Sequence, residues 1–253
     1  MGMVIGIDVG GSTTKIIGVD GEGIKHPMIV KATDPITSLF GAFGKYIYDN
    51  NISLSGIEKV MLTGVGSAHY GSQLKNLIVV SMGTGTSFVK VEDGKIQHIG
   101  GIGIGGGTIQ GLSRLLLKTH DIHQVVEMAQ KGIVENIDLQ IKDICNAALP
   151  GLPLNATAST FGKADSNSSL EDVAAGIIHM VLQSIGQSVI LAALNSSIKD
   201  FVLIGNLAKL PQCKEVFPIM EDMYQCHFLI PEYAQYRTAL GAALAYVHQK
   251  EKQ

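Results

Sequence analysis

Positive charge, cysteine and, over one long stretch, acid are what this sequence is short of. Nineteen Lys and Arg against 22 Asp and Glu leave a formal net charge of -3 and a pI near 6.2, so the composition offers no basic face for nucleic acid. The three cysteines, Cys145, Cys213 and Cys226, are an odd number without C-x-x-C spacing. Neither a disulfide framework nor a zinc site follows from them, and a reducing cytoplasm suits them. No apolar run reads as long enough to span a membrane, and the N-terminus leads directly into a core strand without a charged leader. No Asp or Glu occurs between Glu58 and Glu92, which removes the carboxylate general bases from that interval.

Glycine, by contrast, is abundant at 30 of 253 residues, and much of it falls in three loops. Val4, Ile5, Ile7 and Val9 predict a buried strand interrupted by the carboxylate of Asp8, and Gly10-Gly11-Ser12-Thr13-Thr14 turns the chain into a second strand, Lys15 to Val19. Such a hairpin tip suits phosphate. Glycines let N–H groups approach an anion, the hydroxyls of Ser12, Thr13 and Thr14 and the Lys15 cation add donors, and Asp8 is placed for a hydrated magnesium ion. A glycine turn with a strand-end Asp reads the same way when it stands alone. The stretch from Val79, VVSMGTGTSFVKVEDGKI, lies on the first without a gap: Gly10 meets Gly83, Thr13 meets Thr86, and Asp8 falls opposite Ser81. Two related half-domains facing each other follow from that repeat. A third run, Gly100 to Gly107, leads into Thr108-Ile109-Gln110, the expected start of a helix whose N–H groups would add a further anion site.

DVGGSTTK, SMGTGTS and IGGIGIGGGTIQGL together resemble the type II pantothenate kinases of the actin-like superfamily. The likeness continues through Glu127 to Gly132, Asn136 to Leu139, Phe161-Gly162, Val202 to Asn206 and Leu240 to Leu244. A dinucleotide-binding G-x-G-x-x-G fits poorly, because the first glycine run leads to a strand and not to a helix. The resemblance implies an α/β, actin-like ATPase (ribonuclease H-like) fold of two duplicated lobes, 1–77 and 78–253, around a nucleotide cleft. It implies a cytoplasmic homodimer that phosphorylates pantothenate with ATP and Mg2+, without nucleic acid or membrane. Asp8 and Lys15 would be catalytic, with Asp8 on the metal. Gly10, Gly11, Ser12, Thr13, Thr14, Lys15, Thr84, Gly106, Gly107, Thr108, Ile109, Gln110 and Asn206 would hold ATP. Ser87 and His98 would meet the acceptor.

Departures from the family bear on that acceptor. The family's arginine before the third glycine run is His98 here, whose neutral imidazole can donate one hydrogen bond to a carboxylate but lacks the charge and fork of a guanidinium. Only about fourteen residues separate Gly64 from the second hairpin, too few for the helix, strand and helix of an actin-like half-domain. The family's glutamate base belongs to this interval and is absent. Either the segment is lost or residues between 64 and 77 are not represented; the second is preferred, because deletion would strip a half-domain of core while leaving both hairpins intact. His69 is the nearest titratable substitute. Two alternatives stay open: a kinase for another small hydroxyl compound, and a nucleotide-binding protein or ATPase without an acceptor. Zinc-bearing sugar kinases are disfavoured, their cysteine and histidine cluster being absent.

Elsewhere the periodicity predicts a third strand over Ile24 to Lys31 and a helix from Asp34-Pro35 with Leu39, Phe40, Phe43, Ile47 and Tyr48 on one face. Lys59 to Thr63 reads as a strand running to a turn at Gly64-Val65-Gly66-Ser67. Helices are expected over 108–118, with Ile109, Leu112, Leu115 and Leu116 inward, over 122–131 and over 137–148. The 149–169 loop is either a substrate cover or a solvated connector. A long core helix should run over 170–195, a strand over Asp200 to Gly205 ending in a ligand crevice at Asn206, a helix over 212–224 and a strand over 227–230. A last helix from Ala239, small-faced at Gly241, Ala242 and Ala243, would complete the second lobe.

Overall fold

The computed structural model describes residues 2–31, 34–63, 76–145, 147 and 151–251. The turn at Gly64 to Ser67, His69 and the join up to Lys75 lie outside the described residues. The chain begins with β1 (Met3–Val9), β2 (Thr13–Asp20) and β3 (Gly23–Lys31), followed by α1 (Pro35–Asp49) and β4 (Ile57–Thr63). The meander then repeats as β5 (Leu77–Met82), β6 (Thr86–Glu92) and β7 (Lys95–Ile102). Next come α2 (Gly106–Leu112), α3 (Ile122–Ala129), β8 (Leu139–Gln140), α4 (Ile141–Ile144), β9 (Thr157–Ser159) and α5 (Leu170–Ala193). The chain closes with β10 (Asp200–Ile204), α6 (Cys213–Tyr224), β11 (His227–Leu229) and α7 (Arg237–Glu251).

Two sheets carry the duplication, one ordered β3-β2-β1-β4 and one ordered β11-β10-β5-β6-β7. In each, an antiparallel meander is extended by a strand parallel to its first, β4 beside β1 and β10 beside β5. The gap-free alignment of the two hairpins does not survive as register. β1 and β2 pair Asp8 with Lys15, whereas β5 and β6 pair Ser81 with Ser87 and not with Phe88, the counterpart of Lys15. The first hairpin turns through Gly10 to Thr13 and the second through the shorter Gly83 to Gly85. Because side chains alternate across a strand, this slip of one residue sends Phe88 into the core and brings Ser87 to the face of Ser81.

Helices cover both faces of the first sheet. Ile5, Ile7 and Ile16 pack on Ala42 and Tyr46 of α1, and Val4, Ile17 and Val19 pack on Tyr236, Ala239, Leu240, Ala243 and Val247. The last helix therefore covers the first sheet and does not complete the second lobe. Gly6 permits this, since a Cβ there would lie 1.9 Å from the Ala239 carbonyl oxygen; the small-residue face of α7 serves helix-on-sheet packing. On α1, Phe40 and Tyr48 are 69% and 84% exposed, against expectation. Leu39, Ala42, Phe43, Tyr46 and Ile47 form the stripe instead, a closer match to 3.6-residue spacing.

Two expected helices are altered. α2 stops at Leu112 and the chain widens into a π-helical turn over Ser113–Leu117, which buries Ser113 and Leu117 and leaves Leu115 and Leu116 outside. Residues 137–148 form no single helix. Asp138 is fully buried there, its Oδ1 accepting from the Phe161 N–H at 2.8 Å and its Oδ2 lying 2.8 Å from His179 Nδ1. A buried carboxylate needs such partners, and taking them from the next loop and from α5 holds this segment extended. The following loop is pinned to this segment, with the Lys163 N–H donating to the Ile137 carbonyl at 2.8 Å. α5, at 24 residues, is long and apolar enough to cross a membrane by length and composition, which no run was expected to be, but 61% of its apolar window is buried inside the protein. Its Ile177, Ile178, Val181 and Ile185 pack with Ile78, Val80, Phe201 and Leu203 of the second sheet.

Candidate active site

Two hairpin tips, one after the strand that carries Asp8 and one after the strand that carries Ser81, approach each other. A Cβ on Gly11 would lie 3.8 Å from Thr84 Oγ1. Asn206 follows β10, and its Nδ2 donates to Thr13 Oγ1 at 3.3 Å, tying the second lobe to the first. The other end of that amide, Oδ1, is buried without a hydrogen-bond partner among the described residues. Gly205 makes the turn before it at φ 97°, where a Cβ would meet the Met82 carbonyl oxygen at 2.4 Å. Gly11 with Thr84, and Thr13 with Asn206, are thus brought together from the two lobes.

Register places the charged pair of the site. Lys15 Nζ stands 3.7 Å from Asp8 Oδ2, with side chains 8% and 14% exposed, because the two residues face each other across β1 and β2. Burial pushes the Asp8 carboxyl above its ordinary value, opposed by the Lys15 charge. Burial likewise pulls the Lys15 ammonium down, opposed by Asp8. Thr14, expected to offer its hydroxyl to phosphate, is fully buried with Oγ1 unpartnered among the described residues, on the opposite side of the strand from Lys15.

The third glycine run departs from expectation. The N–H of Gly106 donates to the Gly83 carbonyl at 2.8 Å, that of Gly107 to Thr84 at 2.9 Å and that of Thr108 to Gly105 at 3.0 Å. The first two donors staple α2 to the second hairpin, because the nearest carbonyls satisfy the open end of a short helix. Glycine is required for the approach, since a Cβ on Gly105 would sit 2.7 Å from the Thr84 carbonyl oxygen. Thr108 Oγ1 accepts from the Gly105 N–H at 3.1 Å. Ile109 is a core residue with no exposure, and Gln110 lies on the surface.

On the second-lobe wall, Ser81, Gly83, Gly85, Thr86, Ser87 and Gly101 line a cavity of about 400 Å³. His98 stands opposite Val89 on β7, on the same sheet face as Ser87, and is exposed. Ser81 lies near the end of β5 as Asp8 lies near the end of β1, the corresponding place in the repeat. Among the described residues no three His, Cys, Asp or Glu side chains converge. A divalent ion at this site would rest on Asp8 together with water and phosphate oxygens, a donor set that suits magnesium. The unpartnered Asn206 oxygen, Lys15 and the glycine-lined tips suit a nucleotide.

A family model described as Fumble matches residues 69–244. The chain is similar to a type II pantothenate kinase of Bacillus cereus, 28% identical over 230 residues that span 81% of this chain and 84% of that protein. It is also similar to a 4'-phosphopantetheine phosphatase of Mus musculus, 41% identical over 116 residues, although these are 44% of this chain and only 14% of that protein. Among solved structures, the activator of the 2-hydroxyisocaproyl-CoA dehydratase from Clostridium difficile with bound ADPNP superposes with a TM-score of 0.66 at 15% identity, covering 98% of this chain and 97% of that one. That likeness establishes the fold, the duplicated actin-like ATPase architecture. The family model spans well over half of the 253 residues, and the chain belongs to the Fumble family, to which its resemblance to the type II pantothenate kinases had pointed.

Proposed function

We propose that this protein is an ATP- and magnesium-dependent kinase that phosphorylates pantothenate to 4'-phosphopantothenate, the first step towards coenzyme A. One observation supports the reading: the two hairpin tips approach each other at Gly11 and Thr84, with the Asp8–Lys15 pair on the strands of the first hairpin and Ser87 in the cavity beside the second. Lys15 neutralises charge on the phosphates, and the tip residues Gly10 to Thr13, Thr84 and Asn206 fix the nucleotide's position. ATP supplies the γ-phosphoryl group, and Asp8 holds the magnesium ion through water. Ser87 orients the acceptor hydroxyl. His98, on the same sheet face, offers one hydrogen bond towards the pantothenate carboxylate where the family has an arginine, so affinity for the anion is lower. Phosphoryl transfer depends on positioning and electrostatics more than on proton removal. Without a positioned carboxylate base the rate should fall roughly 10²- to 10⁴-fold below that of a kinase that has one. The α/β cleft enzyme is read as a cytoplasmic homodimer.

The absence of Asp or Glu between Glu58 and Glu92 favours a second reading, a nucleotide-binding protein or ATPase without an acceptor. ADP release by the purified protein, measured with and without saturating pantothenate, separates the two. Stimulation together with a phosphorylated product is the expected result. ADP release indifferent to pantothenate and to a panel of small alcohols would sink the kinase reading, and a response to another alcohol alone would change its acceptor.

A further inference from the structure

We infer that Ser81, together with Ser87, forms a hydroxyl pair that holds an uncharged polar group of the acceptor; the inference rests on the kinase reading above. Ser81 and Ser87 are direct cross-strand partners on β5 and β6, which sets their Cβ atoms about 5 Å apart on one face of the sheet. Both line the same cavity and both are partly exposed in it. Neither hydroxyl has a hydrogen-bond partner among the described residues, whereas the neighbouring Thr86 hydroxyl is already spent on the Ile104 carbonyl at 2.8 Å. The two serines are therefore the side-chain hydroxyls of this wall that are available to a ligand, each able to donate once and accept twice.

Beside them the strands approach closely enough to require glycine. Gly101 is the cross-strand partner of Ser87 on the other side, and a Cβ there would lie 2.4 Å from the Thr86 carbonyl oxygen. The β6 to β7 ladder shifts register between Phe88 and Val89, beside Gly100 at φ 133°. Bare backbone forms the floor, and the hydroxyls stand above it.

Position supports the assignment from a second side. Ser81 pairs with Ile204 on the parallel β10, two residues before Asn206, which reaches Thr13 in the opposite lobe. Ser81 thus stands between the strand that leads to the nucleotide side and the strand that carries Ser87. In the repeat it occupies the place that Asp8 holds in the first lobe. Equivalent strand ends thus carry a carboxylate in the first lobe and a hydroxyl in the second.

Steady-state kinetics and calorimetric binding of pantothenate, on wild type, Ser81→Ala and Ser81→Thr, test this. Loss of one such hydrogen bond should raise KM and Kd for pantothenate about 3- to 10-fold in Ser81→Ala, with KM for ATP and the thermal midpoint unchanged, and Ser81→Thr should recover most of the loss. A wild type that neither binds nor phosphorylates pantothenate overturns the kinase reading and this inference with it. An active wild type whose Ser81→Ala variant keeps its pantothenate KM, or loses ATP affinity equally, overturns the role of Ser81 alone.

Discussion

Replacing Lys15 by methionine should destabilise the protein by an amount that depends on pH in a calculable way. At 3.7 Å the attraction between Lys15 and Asp8 amounts to about 4.5 kcal/mol at an effective dielectric of 20 and about 1 kcal/mol in bulk water. Side-chain exposures of 8% and 14% put the pair nearer the first figure, although desolvation of both charges offsets much of it. Methionine leaves the Asp8 carboxylate buried without its cation, a change that typically costs about 3 to 5 kcal/mol. The carboxylate has an escape, which is to take up a proton. From an ordinary value of 3.8, that escape costs about 4.4 kcal/mol at pH 7 but only about 1.6 kcal/mol at pH 5.

Burial already holds the Asp8 value above ordinary in the native protein, so the folded state binds more protons than the unfolded state between the two values. The contribution of Asp8 to stability therefore declines as pH rises through that window and is least favourable above it. Lys15→Met widens the window upward. Urea unfolding of Lys15→Met should show a loss of about 3 kcal/mol at pH 7 that shrinks below about 1.6 kcal/mol at pH 5. The double variant Asp8→Asn with Lys15→Met should recover most of the pH 7 loss. An equal loss at both pH values, or a double variant as unstable as the sum of the singles, would refute the reasoning.

Gly6→Ala should lower stability by about 3 kcal/mol or more, or roughly 6 to 12 °C in Tm, because its Cβ would overlap the Ala239 carbonyl oxygen and push α7 off the first sheet. An unchanged melting curve would contradict the placement of that helix. Asp138→Ala leaves the Phe161 N–H and His179 without their partner, so urea unfolding should show a loss of about 1 to 3 kcal/mol. Proteolysis in the 151–169 loop should quicken, and Asp138→Asn should keep part of both. Wild-type cleavage rates in Asp138→Ala would show that the loop is held by something else.

The fold was legible where a local pattern has one solution. Alternating Val and Ile around Asp8, the glycine tips and the repeat at Val79 specify two meanders, since a strand with one buried face admits little else. Helix faces were less legible. Phe40 and Tyr48 looked inward because they are aromatic, yet the stripe through Ala42 and Tyr46 wins on geometry. The 137–148 segment looked helical by composition, but the needs of one buried carboxylate, Asp138, override propensity there.

The candidate site divides in the same way. Sequence alone determined which groups are present: Asp8 and Lys15, the hydroxyls at both tips, Ser87 and His98, and no acid between Glu58 and Glu92. Tertiary structure decided how they are placed. Hydrogen bonds to the second hairpin occupied the N–H groups of Gly106 and Gly107, and burial withdrew Thr14 from the cleft. α7 was assigned to the first sheet by the fit of Gly6 against Ala239, a contact between residues too far apart in the chain for any local pattern to report. A hairpin turn shorter by one residue put Ser87 beside Ser81, because strand register is set by turn geometry and cross-strand packing and not by residue identity at the aligned positions.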